Sequence, residues 1–367
     1  MSRRDRAPFR ADHVGSLLRP ASLLQKREQF QAGELTAETL RAHENECIER
    51  AVAMQESLGL EAVTDGEYRR ESFHGDFIGK LNGVEFKLFD PTGGRTVGTA
   101  PFVAVVSERI TRPAAGIEVE NFRFLDSLTK RTAKQTIPSP TMTHFRGGRE
   151  AISKAAYPEM EAFFVDLARV YREEVAGLAA VGCRYLQLDD TNLAYLCDEG
   201  MRAKVAARGE DVERLPHDYA RLINDSIRDR PAGMSVCVHL CRGNARSRWF
   251  AQGGYEPVAE AIFNEMDVDG FFLEYDDERS GDFAPLRFVP KTKTIVLGLV
   301  TSKRGALEDA ELIKRRIDEA TRYIDIEQLC LSPQCGFASA AGGNLLSEDE
   351  EKAKLALVVR LAEEVWG

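Results

Sequence analysis

The sequence predicts an α/β fold, a (β/α)8 TIM-type barrel, and two observations carry this. Short apolar runs ending in polar or glycine residues recur eight times along 367 residues, and long segments of helical period separate them. A chain of this length can bury the core of one large barrel or of two ordinary domains. The alternation favours one barrel over 1–367, with an open doubly wound sheet as the alternative. No Gly-x-Gly-x-x-Gly follows a strand and no Gly-x-x-x-x-Gly-Lys-Ser/Thr occurs, so nucleotide-binding versions of the open sheet lose support.

In chain order, strands are expected at Ala11–Ser16, Ala62–Gly66, Ser139–Thr143 and Tyr185–Asp190. The other four fall at Ser235–Cys241, Gly270–Tyr275, Thr294–Val300 and Gln328–Pro333. Helices fill the gaps. Thr36–Leu58 stacks Leu40, Cys47, Ile48, Ala51, Val52 and Leu58 on one stripe, and Pro158–Val181 does the same with Phe163, Leu167, Val170 and Leu178. Leu307–Ile324 presents Leu307, Ala310, Ile313, Ile317 and Ala320, and the last helix opens with the capping box Ser347-x-x-Glu350. Residues 81–138 fit the alternation poorly. Their β-branched and glycine-rich run Thr96–Val106, punctuated by Pro91, Gly93, Gly94, Pro101 and Pro113, predicts a β-rich insertion after the second strand.

The formal charge of −10, with both signs interspersed, argues against nucleic acid or an anionic membrane as partner. No run of about 18 apolar residues is present, and the basic N-terminus lacks an apolar segment after it, so neither a span nor a secretory signal is expected. Seven scattered cysteines do not form a disulfide framework, and a reduced, cytoplasmic chain is the expectation. Cys47, Cys183, Cys197, Cys237 and Cys330 read as buried small hydrophobes.

In such a barrel the chemistry belongs at the C-terminal ends of the strands. Gly15, Ser16, Asp65, Glu67, Asp189, Asp190, His239, Cys241, Glu274 and Cys335 all fall there. His239 and Cys241 lie two apart on one strand and so share a face. With Glu274 and Cys335 they make a plausible four-donor zinc set, because sulfur and imidazole select zinc over magnesium or calcium. A core histidine with buried thiols explains the same residues without a metal, and the residues alone leave both readings open. Glu67 and Asp189 suit an ammonium group, or else caps and loop acids. Gly15 and Ser16 suit backbone recognition of a carboxylate, or else an ordinary turn. His13, His74 and His144 sit near the expected mouth, where a lone histidine is more often structural.

Five segments, Asp12–Pro20, Thr64–Phe77, Leu186–Asp190, His239–Asn244 and Pro333–Phe337, together resemble the catalytic barrel of cobalamin-independent methionine synthase. The similarity is to short, single-barrel relatives and runs over essentially the whole chain. It implies zinc on His239, Cys241, Glu274 and Cys335, with homocysteine as the thiol and 5-methyltetrahydrofolate as the methyl donor. Gly15, Ser16, Glu67 and Asp189 would then hold the amino-acid end. The chain departs from the family pattern at Thr143-His144-Phe145, where an Asn-Trp helps seat the folate. It departs again at Gly298–Ser302, where Thr301 stands in place of a histidine that assists methyl transfer. The same group resembles epoxyalkane:coenzyme M transferase, so another thiol and alkyl donor is the second expectation, and a non-catalytic zinc barrel the third. The partners implied are a small-molecule thiol and an alkyl donor. The resemblance assigns no general acid and no oligomeric state.

Overall fold

A parallel sheet of seven strands organises the computed structural model, which describes residues 4–88 and 102–367. The strands are β1 (Ala62–Val63), β4 (Thr132–Pro138), β5 (Tyr185–Asp190), β6 (Ser235–Leu240), β7 (Gly270–Glu274), β8 (Thr294–Val300) and β9 (Leu329–Pro333), paired in that order. Separate from it, β2 (Asn82–Leu88) and β3 (Phe102–Thr111) form an antiparallel pair. The punctuation at Pro91, Gly93, Gly94 and Pro101 lies outside the described residues.

The expected first strand is reduced to one bridge, Ala11 to Leu331, reinforced by Asp12 N–H donating to the Leu331 carbonyl at 3.0 Å. On its other side, the Thr64 hydroxyl donates to the Gly15 carbonyl at 2.6 Å and Leu17 N–H to the Gly66 carbonyl at 3.0 Å. This segment therefore ties β9 to β1 and curls the sheet.

The third strand is displaced from its expected place. Ser139–Thr143 is a cap and a 3-10 turn, in which Ser139 Oγ accepts from Thr141 N–H and Pro140 has no N–H for a ladder. The strand is Thr132–Pro138, inside the stretch read as insertion. Its polar residues hid it. Lys134 is fully buried, donating to Asp12 at 3.1 Å and to the His13 carbonyl at 2.5 Å, with its ammonium 4.1 Å from the centre of the Phe272 ring. A polar pattern there reflects a satisfied interior, not a loop.

Helices cover the outer face. Ala37–Ser57 begins at Thr36, whose hydroxyl accepts from Thr39 N–H, and Met160–Ala180 buries Phe163, Leu167, Val170 and Leu178. Ala310–Ala320 is shorter than expected because Asp309 caps it, which leaves Leu307 exposed instead of on the buried stripe. Glu348–Trp366 has both bonds of the Ser347–Glu350 capping box.

Inside the curl, Val14, Ala62, Tyr185, Cys237, Phe272, Val296 and Cys330 form one apolar layer contributed by nearly every strand. Cys237 sits in this layer, below His239 and Cys241, as the alternation on its strand requires. All seven cysteines are buried and unbridged. Among the described residues, no helix is long and apolar enough to cross a membrane.

Candidate active site

At the C-terminal ends of the strands lies a cavity of about 210 Å³. Ser16, Glu67, Asp189, His239, Cys241 and Cys335 all line it, so six positions scattered over more than 300 residues meet in one place. Gly15, Asp65 and Glu274, also expected at the strand ends, do not line it. Gly15 sits behind the wall at φ +138°, where an added Cβ would lie 2.6 Å from Thr136 Cγ2. Glu274 is directed to a group of cations.

His239 is the last residue but one of β6, and Cys241 follows one residue past its end. Cys335 arrives from the turn after β9. One donor atom from each of the three lies within 4.8 Å of the others. The two sulfurs are 3.7 Å apart, and neither ring nitrogen of His239 has a hydrogen-bond partner among the described residues. The hydrogen bond with Cys241 and the nearby His239 hold Cys335 well below the usual thiol range. The same contact with Cys335, together with burial, pushes Cys241 up. Burial opposes a charge on His239, but Cys335 beside it raises its pKa overall. A deprotonated sulfur, a second soft sulfur and an imidazole with no competing partner fit a zinc ion.

Glu274 lies outside this trio. Its carboxylate pairs with Arg279, accepts from Lys303 at 3.1 Å and accepts from Arg242 N–H at 2.5 Å. Although burial opposes its charge, Lys303, Arg279 and Arg242 depress its pKa to about 2. Lys303 and Arg279 carried no signal in the sequence, since Lys303 lies in the loop after β8 and Arg279 in a 3-10 turn, Glu278–Ser280, beyond β7.

The two acids expected to hold an ammonium group share the cavity. Glu67 adopts φ +60°, an unusual conformation for a side chain of its size, in the turn that Gly66 (φ +66°) begins. One carboxylate oxygen accepts from the Thr136 hydroxyl at 2.8 Å and faces Arg70 at 3.5 Å. The other oxygen is buried without a partner. Asp189 pairs with His239 in the β5–β6 register and accepts from the Gln187 amide at 2.7 Å. Burial raises both acids, and the charge of Glu67 helps bring Asp189 to about 7. Asp190 has another duty: it accepts from Thr141 Oγ1 and from the N–H groups of Asn192 and Leu193, so it caps the turn after β5.

Ser16 packs against the Cys335–Gly336 turn, where its Oγ accepts from Ala338 N–H at 3.3 Å. Its own N–H donates to no acceptor among the described residues. Of the three histidines near the mouth, only His74 lines the cavity, with Nδ1 3.0 Å from Ser72 Oγ. His144 is buried between Tyr219 and Glu210, and burial lowers it to about 3. His13 is likewise buried and lowered to about 4.

A parallel α/β sheet with a soft-donor cluster over its strand ends defines the class: an α/β enzyme with a candidate metal centre. The chain belongs to the family described as cobalamin-independent synthase, catalytic domain, whose model matches residues 9–364, and this family is one of methyltransferases. It is 47% identical over 369 residues to the uncharacterized protein YxjH of Bacillus subtilis, covering 98% of this chain and 96% of that one. A solved structure from Listeria monocytogenes, described as a putative vitamin-B12 independent methionine synthase, shares 42% identity and a TM-score of 0.81. That match covers 99% of this chain and 100% of the other. A methionine synthase of Pyrococcus abyssi is 24% identical, over 88% of this chain and 85% of its own length.

Proposed function

We propose that this protein is a zinc-dependent thiol alkyltransferase that methylates homocysteine, with 5-methyltetrahydrofolate or a similar compound as donor. The observation that carries the reading is the meeting of His239, Cys241 and Cys335 with Glu67, Asp189 and Ser16 around one cavity. The same reading takes the sheet as a (β/α)8 barrel, with Ala11–Ser16 as its remaining strand. His239, Cys241 and Cys335 would hold the ion, with Glu274 as fourth donor once released from Lys303 and Arg279. When bound, zinc lowers the pKa of a substrate thiol, making it a nucleophile at neutral pH.

The chain's own residues do the rest. The unpartnered oxygen of Glu67 and the carboxylate of Asp189 receive the ammonium group of an amino-acid thiol. The N–H of Ser16, with the turn at Gly15, receives its carboxylate. Burial of this wall excludes water from the sulfur. The deprotonated sulfur attacks the donor's methyl carbon in line. The S–C bond forms as the bond from carbon to the leaving nitrogen breaks, and that nitrogen takes up a proton.

The test supplies the zinc-loaded protein with homocysteine and 5-methyltetrahydrofolate and measures methionine. A parallel arm supplies coenzyme M with an epoxide. Methionine formation is expected. Product in the epoxide arm alone would move the reading to the other alkyl transfer, and no S-alkyl product from either arm would contradict catalysis.

A further inference from the structure

Arg146 is a half-buried cation lining this cavity for which the protein provides no anion. It follows the 3-10 turn after β4 and lines the same cavity as Glu67 and the sulfur donors. Its Nε is buried without a partner, and its side chain makes no ion pair or hydrogen bond among the described residues. The arginines around it differ. Arg208 pairs with Glu210, and Arg149 donates to the Ile152 and Tyr157 carbonyls at 3.0 and 2.8 Å. Arg70 faces Glu67 and Glu118, and Arg242 donates to the Gly253 carbonyl. A guanidinium held partly away from water with no anion beside it is left uncompensated, so a lone one lining a cavity marks where a ligand's charge belongs.

The cavity's own acids are committed or distant. Asp190 is saturated by Thr141, Asn192 and Leu193, and neither Glu67 nor Asp189 lies within ion-pair distance of Arg146. The side chains whose electrostatics couple to Arg146 are His74 and Tyr195. Neither acid that would take an amino-acid ammonium therefore pairs with Arg146.

We propose that Arg146 recognises an oxyanion on the alkyl donor, a carboxylate, phosphate or sulfonate, and that the second substrate is therefore an anion. This rests on the alkyltransferase reading above. Arg146 is a specificity determinant here and takes no part in bond making.

Calorimetric titration of the zinc-loaded protein tests it, with 5-methyltetrahydrofolate, inorganic sulfate, homocysteine and the uncharged thiol 2-mercaptoethanol as probes. Arg146→Gln should weaken 5-methyltetrahydrofolate on the order of tenfold or more and abolish its competition with sulfate, while both thiols keep their affinity. Arg146→Lys should restore part of the loss and also controls for folding, because it keeps the charge and loses the fork. Equal binding of the anions by wild type and Arg146→Gln, or no binding of either anion by wild type, would overturn the proposal. A loss confined to homocysteine would also overturn it, by assigning the charge to the thiol's carboxylate. Failure of wild type to bind homocysteine would instead strike the alkyltransferase reading and leave the anion data standing.

Discussion

Glu67 and Asp189 are two acids in one buried wall, and each makes the other's charge more costly. A bound ammonium relieves both. Asp189→Asn and Glu67→Gln should each weaken homocysteine by about 1.5–3 kcal/mol, roughly ten- to hundredfold, and leave 2-mercaptoethanol unaffected. The pH dependence follows in sign. Burial and the charge of Glu67 raise Asp189 to about 7, so its charge, and with it the affinity for homocysteine, should fall as pH drops through about 7. Titrations from pH 5.5 to 8.5 check this, and Asp189→Asn should flatten the curve. At this scale the sequence was informative where a residue's type and its place at a strand end coincide, as for His239, Cys241 and Cys335. Arg146 was not legible: a single arginine in a loop shows no pattern, and only its lack of a partner distinguishes it.

The elements that position the site are short and held by polar contacts. Glu351, in the last helix, accepts from Leu18 N–H at 3.0 Å and so anchors that helix to the segment leading from Ser16. Burial raises Glu351 from 4.5 to about 8. Because its folded pKa lies above the unfolded one, its stabilising contribution is complete below about 4.5 and is lost as pH rises through about 8. Glu351→Gln, a mimic of the protonated acid, should therefore be more stable than wild type above pH 8, by on the order of a few kcal/mol, and melt at a higher temperature there. Melting curves at pH 5 and 9 decide it, with little difference expected at pH 5. Boundaries were harder to read than existence. Residues 132–138 read as part of a β-rich insertion and not as a barrel strand because Lys134 carries a charge into the interior, and only Asp12 and the Phe272 ring, far away in sequence, explain it. Residues 139–143 looked like a strand because Pro140 and the hydroxyls of a 3-10 turn mimic its alternation.

Across the whole molecule, an apolar layer inside the curled sheet supports the donor cluster above it. The recurrence of strand and helix made this architecture readable, since each strand end delivers its polar residues to one face. What could not be read was the pairing of Glu274 with Lys303 and Arg279, which competes with its expected place beside the other three donors. The account's central claim is that His239, Cys241 and Cys335 hold zinc for a substrate thiol. X-ray absorption at the zinc edge of the loaded protein, with and without homocysteine, tests it most directly. The account predicts two protein sulfurs and one imidazole around the ion, and one further Zn–S contact when homocysteine is added. A zinc environment unchanged by the thiol would contradict it.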